Sequence, residues 1–353
     1  MLIPVLSRRA QVGRWSLIGL SVTALLGAFV YAGGWFDPDR LSPRQLINGL
    51  EANAGVYPGF RRAHAKGLCV SGYFVSNGQA SGLSQAALFA PGRVPVSGRL
   101  AIGGGNPHAA DISVPVRSLA LLLQQVDGQQ WRMAMNSAPV LAVATPQAFY
   151  AQVQAMRPDP VTGKPDPARL QAFYAAHPES GAFRQWLQQQ RPSSSFANTR
   201  FNSINAFYLV NAAGARQAVR WSLQPQSDFA VLDFGVAPAA DVLQDDLLAR
   251  IAERPLRWDL QLSLAAAEDP IDDASRAWPE QRRQVHAGTL VLEQAVSQQD
   301  GSCRDINFDP LILPVGIEPS ADPILLARSA AYAESFKRRS REGAPAASVG
   351  VQP

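Results

Sequence analysis

FRRAHAKGLCVSGYF (residues 60–74) passes from a basic loop straight into an apolar run, and that passage sets the reading of the chain. GLCVSGYFV (67–75), VSGRLAI (96–102) and VRSLALLLQQ (116–125) are short apolar runs separated by Gly, Pro and Asn, as strands joined by turns are. Further on, Val219, Trp221 and Leu223 alternate with Arg220, Ser222 and Gln224. Trp258, Leu260, Leu262 and Leu264 alternate in the same way with Arg257, Asp259, Gln261 and Ser263. A period of two puts one set of side chains inside and the other outside a sheet. HAGTLVLEQAV (286–296) adds a further strand. Between these blocks, TPQAFYAQVQAM (145–156), DPARLQAFYAAH (166–177) and GAFRQWLQQQ (181–190) space their apolar residues by three and four, with Thr or Asp to cap. Ser42-Pro43 opens a helix to about Asn53, and a last helix runs from about Asp322 to Arg341. Many antiparallel strands with a helical insertion predict an α+β fold built on a closed β-barrel.

Two places carry chemistry. His64, one of four histidines, stands where the loop enters its strand, and imidazole suits proton transfer near neutrality. Taken alone, a histidine beside a strand is more often structural than catalytic. In FDPLILPVGIEPSADPILLARSAAYAESFKRR (308–339), Arg328 and Tyr332 lie four apart and share a helix face. A guanidinium beside a phenol oxygen favours the phenolate, a hard anionic ligand for ferric iron. An ordinary Arg–Tyr contact on an amphipathic helix gives the same spacing.

The tracts together say more than either alone. HAKG followed by GYF, and FDP…P-x-G-I-E-P-S-x-D…A-R-x-x-x-Y, resemble the haem-binding tracts of catalases, and RSAAYAESF resembles their compact relatives, the catalase-related peroxidases. RLAIGGGNPHAAD (99–111), MNSAPVLAVATPQAF (135–149) and FNSINAFYLVNAAG (201–214) resemble family segments in the same order, so the resemblance covers roughly residues 50 to 340. It implies a catalase-like barrel holding haem b, since no C-x-x-C-H tract offers covalent attachment. Tyr332 then becomes the axial ligand of the haem iron, Arg328 the partner of its phenolate, and His64 the acid–base residue. Arg61, Arg99 and Arg339 match positions that hold haem propionates, for which the guanidinium fork is suited. The last turn, Lys337 to Arg341, also reads as a solvated helix end.

There are departures. Aligning Asn136-Ser137-Ala138-Pro139 with the Asn-Asn-Thr-Pro tract of catalases puts Ser137 where the distal amide stands, with Asn136 next to it. Ala101 takes the place of a serine that supports the distal imidazole, so His64 is expected to be less firmly oriented. The expected activity is reduction of H2O2 and organic hydroperoxides with electrons from an external donor. A true catalase and a non-catalytic haem-binding protein are the other two outcomes the resemblance leaves.

The 353 residues are 47% hydrophobic, enough for a sizeable core, and three of the four net positive charges are accounted for by Arg8, Arg9 and Arg14. The remainder is close to neutral, which excludes nucleic acid as an expected partner. Trp15 to Phe36 carries no charge, with Trp15 and Trp35 at its ends. Such a segment spans a bilayer core of about 30 Å, and the one-sided arginines place the rest of the chain across the membrane. The expected division is a cytoplasmic stub and anchor over 1–36, a haem domain over 37–341 in the periplasm of an inner-membrane-anchored protein, and a disordered tail over 342–353. Val30-Tyr31-Ala32 also fits a cleavage site, giving a soluble periplasmic domain instead. A monomer or weak oligomer is expected. Cys69 and Cys303 are the only cysteines, equally readable as a pair in an exported protein or as two small buried hydrophobes.

Overall fold

The computed structural model describes residues 7–33, 41–232 and 239–343. The chain divides into two units, Met1–Ser42 and Pro43–Pro353. The first holds α1 (Arg8–Ala32), opened by Ser7, whose hydroxyl accepts from the Ala10 amide. Its apolar side chains are exposed on every side, and its 24 residues Arg8–Tyr31, with a mean hydropathy of 1.4, are long and apolar enough to cross a membrane. Trp35 and the rest of the expected segment's end, and the expected tail from Ala344, lie outside the described residues.

The second unit begins with α2 (Pro43–Ala54), followed by β1 (Gly67–Ser76), β2 (Gly92–Ile102), β3 (Arg117–Gln124) and β4 (Gln130–Asn136). Three helices come next, α3 (Pro146–Ala155), α4 (Pro167–Ala176) and α5 (Gly181–Gln189), then β5 (Phe201–Asn202), β6 (Phe207–Val210) and β7 (Arg216–Pro225). The chain goes on through α6 (Val242–Glu253), β8 (Leu256–Leu264), β9 (Gln284–Ser297), β10 (Ile317–Pro319) and α7 (Pro323–Arg341). The sheet runs β7-β5-β4-β3-β2-β1-β9-β8, and β8 pairs back onto β7, so eight antiparallel strands close into a barrel. The alternation along β7 and β8 supplies the reason. Trp221, Leu223, Trp258, Leu260 and Leu262 turn inward, where each buried side chain contributes about 1.5–3 kcal/mol, and a one-residue slip would turn them all to the outer face. Trp131 of β4 meets Trp221 edge-on at 5.0 Å, and Phe207 of β6 stacks on Trp221 at 4.4 Å, filling the interior.

Two features position the site. First, the barrel's outer face over β1 to β4 carries, in register, Gly67, Ala101, Ser118 and Asn136 in one row and Cys69, Arg99, Ala120 and Ala134 in the next. Helices α2, α3 and α7 pack on one another to form a layer outside the barrel, and Arg328 of α7 bonds the strand carbonyl of Ala134. Second, β5 and β6 pair with the same strand but in registers two residues apart, Asn202↔Ser222 and then Phe207↔Val219. The break at Ser203–Ala206 contains Ile204 at φ +66°, a strained conformation for a β-branched residue.

Candidate active site

The loop before β1 is held rigidly on both sides of His64. Arg62 pairs with Glu51 of α2 at 2.6 Å and with Glu342 just past α7. Lys66 is buried between Asp111 (2.9 Å) and Asp241 (2.6 Å) and also donates to the carbonyls of Ala109 and Ala240. Gly67 has no alternative, because a Cβ there would lie 2.3 Å from the Leu100 carbonyl. Between these ties His64 adopts φ +53°. Its Nδ1 lies 3.1 Å from the Ile102 carbonyl, which fixes the proton on Nδ1 and leaves the Nε2 lone pair bare. Burial, followed by the positive charge of Arg99 and then of Arg328 and Arg61, pushes the imidazole down to about 4, against the opposing pull of the Ile102 carbonyl. The support expected to be missing at Ala101 therefore comes from the next backbone carbonyl, which corrects the expectation of a loosely oriented imidazole.

Tyr332 and Arg328 do share a face of α7: Arg328 Nη2 donates to the Tyr332 hydroxyl at 3.2 Å. What the sequence reading missed is the chain of groups behind Arg328. Its Nη1 donates to Asn205 Oδ1 at 2.6 Å, and Asn205 Nδ2 donates to Asp322 Oδ2 at 2.7 Å. Asn205 and Asp322 are both fully buried, and Asp322 also caps α7 by accepting from the Ile324 amide. The kink at Ile204 delivers Asn205 to this position. Asp322-Pro323 was readable as a helix start; its second bond was not.

The three other arginines cluster. Arg61 donates to the carbonyls of Cys303 (2.9 Å) and Ile306 (2.8 Å). Arg99 donates to the Ala65 carbonyl (3.0 Å) and to Gln298 Oε1 (2.6 Å). Arg339 donates to the carbonyls of Arg304 and Ile306. None has a carboxylate within ion-pair distance among the described residues, and Asp305 pairs with Arg304. Burial holds all three below the usual guanidinium range; Arg99 and Arg339 add repulsion on Arg61, and Arg339 adds it on Arg99.

Asn136 ends β4 on the outer face, and its side-chain amide makes no hydrogen bond with a described residue. Ser137 is committed elsewhere: its hydroxyl accepts from the Arg117 amide at 3.1 Å. Ser118, which the sequence reading did not single out, stands in register between Ala101 and Asn136 on the same face, its hydroxyl likewise unbonded among the described residues.

A family model described as Catalase matches residues 58–351. The chain belongs to the catalase family, among the catalase-related peroxidases. It is 38% identical over 331 residues to the catalase-related peroxidase of Synechococcus elongatus, covering 93% of this chain and 97% of the relative. With the catalase-related peroxidase of Mycolicibacterium paratuberculosis it is 32% identical over 302 residues, covering 85% and 95%. Against the catalase of Pseudomonas aeruginosa it is 29% identical, over 78% of this chain but 56% of that one. The solved structure of a bacterial catalase superposes with a TM-score of 0.73 at 21% identity, over 80% of this chain and 58% of that one, which shows the shared fold.

Membership of the catalase family brings a haem cofactor, and the residues present fit one. Three guanidinium groups, those of Arg99 and Arg339 buried and that of Arg61 half-buried, are costly without a carboxylate unless anions reach them, and a haem carries two propionates. A phenol oxygen held by a guanidinium is the donor type that ligates ferric iron in this family.

Proposed function

We propose that this chain, an oxidoreductase acting on peroxide, reduces H2O2 and organic hydroperoxides with electrons from an external donor, using haem b ligated by Tyr332. Arg61, Arg99 and Arg339 hold the propionates, Arg328 keeps the Tyr332 oxygen anionic, and Asn136 is the distal amide. The observation that carries the reading is His64: a neutral imidazole, anchored through Nδ1 at 3.1 Å, with its other nitrogen free to take a proton. When bound, the haem supplies the two electrons that break the O–O bond and recovers them from the donor. His64 Nε2 accepts a proton from one peroxide oxygen and returns it to the other, which leaves as water or alcohol. The Asn136 amide, unbonded on the same outer face, orients the peroxide. Asn205 and Asp322 fix the guanidinium that faces Tyr332.

The domain's proposed place is the periplasm, held by α1 in the inner membrane or released by cleavage; a disulfide between Cys69 and Cys303 suits that compartment. A phosphatase fused at the C-terminus should be active there, and an inactive fusion with a fluorescent cytoplasmic counterpart would refute the topology. For activity, an oxygen electrode and a chromogenic-donor assay are run on one preparation. Donor oxidation is expected to exceed oxygen release at matched peroxide. Oxygen release dominating with donor present would make the protein a catalase.

A further inference from the structure

Apart from the Ala65 carbonyl, which also receives from Arg99, the acceptors of the three propionate-class arginines come from one stretch of chain, Gln298 to Ile306. Gln298 Oε1 receives from Arg99, the Cys303 carbonyl from Arg61, the Arg304 carbonyl from Arg339, and the Ile306 carbonyl from both Arg61 and Arg339. Strand β9 ends at Ser297, before this stretch, and the stretch contains only a short 3-10 turn, Ser302–Asp305. Besides its peptide link to the end of β9, it is tied covalently to the barrel by the disulfide from Cys303 to Cys69 on the outer face of β1, with Cα atoms 5.4 Å apart and the two residues 234 positions apart in sequence. Around the bond, Cys69, Cys303 and Phe308 form a small buried cluster with Ala120, Leu122 and Ile306. Gly301 passes so close that a Cβ would lie 2.4 Å from the Cys69 sulfur. The same residue, Cys303, thus carries the cross-link and accepts a bond from Arg61.

We infer that the Cys69–Cys303 disulfide is a positioning device for haem retention, setting the carbonyls of Cys303, Arg304 and Ile306 that aim Arg61 and Arg339. This rests on the assignment of those arginines to the propionates. Reduction by a phosphine or dithiol adds one electron and one proton to each sulfur and oxidises the reductant. It frees the stretch, and the guanidinium groups lose their fixed direction. A cross-link serving stability alone would weaken the hold on any porphyrin, whereas a device acting through the propionates weakens the hold on free propionates only.

The experiment loads the full-length chain in detergent with haem or with haem dimethyl ester, whose propionates are blocked, and follows transfer to apomyoglobin. Oxidised protein is compared with protein reduced by a phosphine, and with the Cys69→Ser/Cys303→Ser chain; should that variant fail to fold, the reduced wild type gives the same comparison. Haem loss is expected to quicken about tenfold on reduction, roughly what one charge-assisted hydrogen bond controls, while ester loss changes less than about twofold. Unchanged haem loss after full reduction, or equal acceleration of haem and ester, overturns the inference. Equal loss of haem and ester from the oxidised chain overturns the arginine assignment itself, and the inference with it.

Discussion

Asn205 offers the sharpest test of the groups behind Tyr332. Asn205→Ala removes a 2.6 Å bond from Arg328 and a 2.7 Å bond to Asp322, both to charged partners that stay where they are. Hydrogen bonds to charged groups contribute about 1.5–3 kcal/mol each, and water entering the vacated amide volume recovers part of the loss, so a cost of about 2–4 kcal/mol is expected at neutral pH. The cost should depend on pH in a definite sense. Burial pushes the Asp322 carboxyl up, and the Asn205 amide is the foremost of the bonds that hold it down. A carboxyl whose folded value is raised ionises more readily in the unfolded chain, so stability falls as pH rises from the ordinary carboxylate range through the folded value. Without the amide the folded value climbs further and that loss deepens. Urea unfolding of wild type and variant at about pH 4 and pH 7.5 should therefore give the larger difference at pH 7.5. A difference below about 0.5 kcal/mol at pH 7.5, or a larger one at pH 4, would refute the bonded arrangement.

His64→Ala should lower peroxidase kcat/KM by about a hundred- to ten-thousand-fold while haem content, measured by pyridine haemochrome, holds. Because His64 is pushed down to about 4, wild-type activity should persist well below the ordinary histidine value of about 6.5. The unfolded chain takes up a proton near that ordinary value while the fold stays neutral, so acidification toward pH 4 should remove stability that His64→Gln does not lose, as paired thermal melts would show. Tyr332→Phe should lose haem or change its ferric spectrum, and an unaltered spectrum at full occupancy would sink the ligand assignment. Lys66→Met leaves buried Asp111 without its cation and should cost about 3–5 kcal/mol in a denaturant titration.

The barrel was legible where hydrophobicity alternates strongly. Val219 to Leu223 and Trp258 to Leu264 read as strands because apolar and polar residues alternate; burial follows the alternation in β8, whereas in β7 the polar Arg220 and Ser222 are buried as well. QWRMAMN, which forms β4, alternates equally well, but its inward residues include two methionines, which carry little strand preference, and it went unread. The two-residue β5, the four-residue β6 and the three-residue β10 are too short for any period to show. At the candidate site, motif and helical spacing both pointed to Arg328 and Tyr332, while the motif at the head of β1 pointed to His64. Asn205 was not, since its position depends on a backbone break at Ile204 that no local pattern announces. Nor could spacing decide between Asn136 and Ser137: the serine hydroxyl is drawn away by the Arg117 amide, a contact across the sheet rather than along the chain. The cysteines, equally readable as a pair or as buried hydrophobes, are bonded.

The two sides of the site sit near opposite ends of the folded unit, His64 just ahead of the first barrel strand and Tyr332 on the last helix. Even the link behind the tyrosine joins residues 117 positions apart, Asn205 and Asp322. On the proposed assignment no contiguous half of the chain contains a porphyrin site, and the entropy of closing such long loops must be met before the proposed ligands converge. With Tyr332 as the proposed ligand, cofactor capture belongs to the end of biogenesis: a chain still emerging from the ribosome lacks that ligand, and haem uptake becomes a report on complete tertiary assembly.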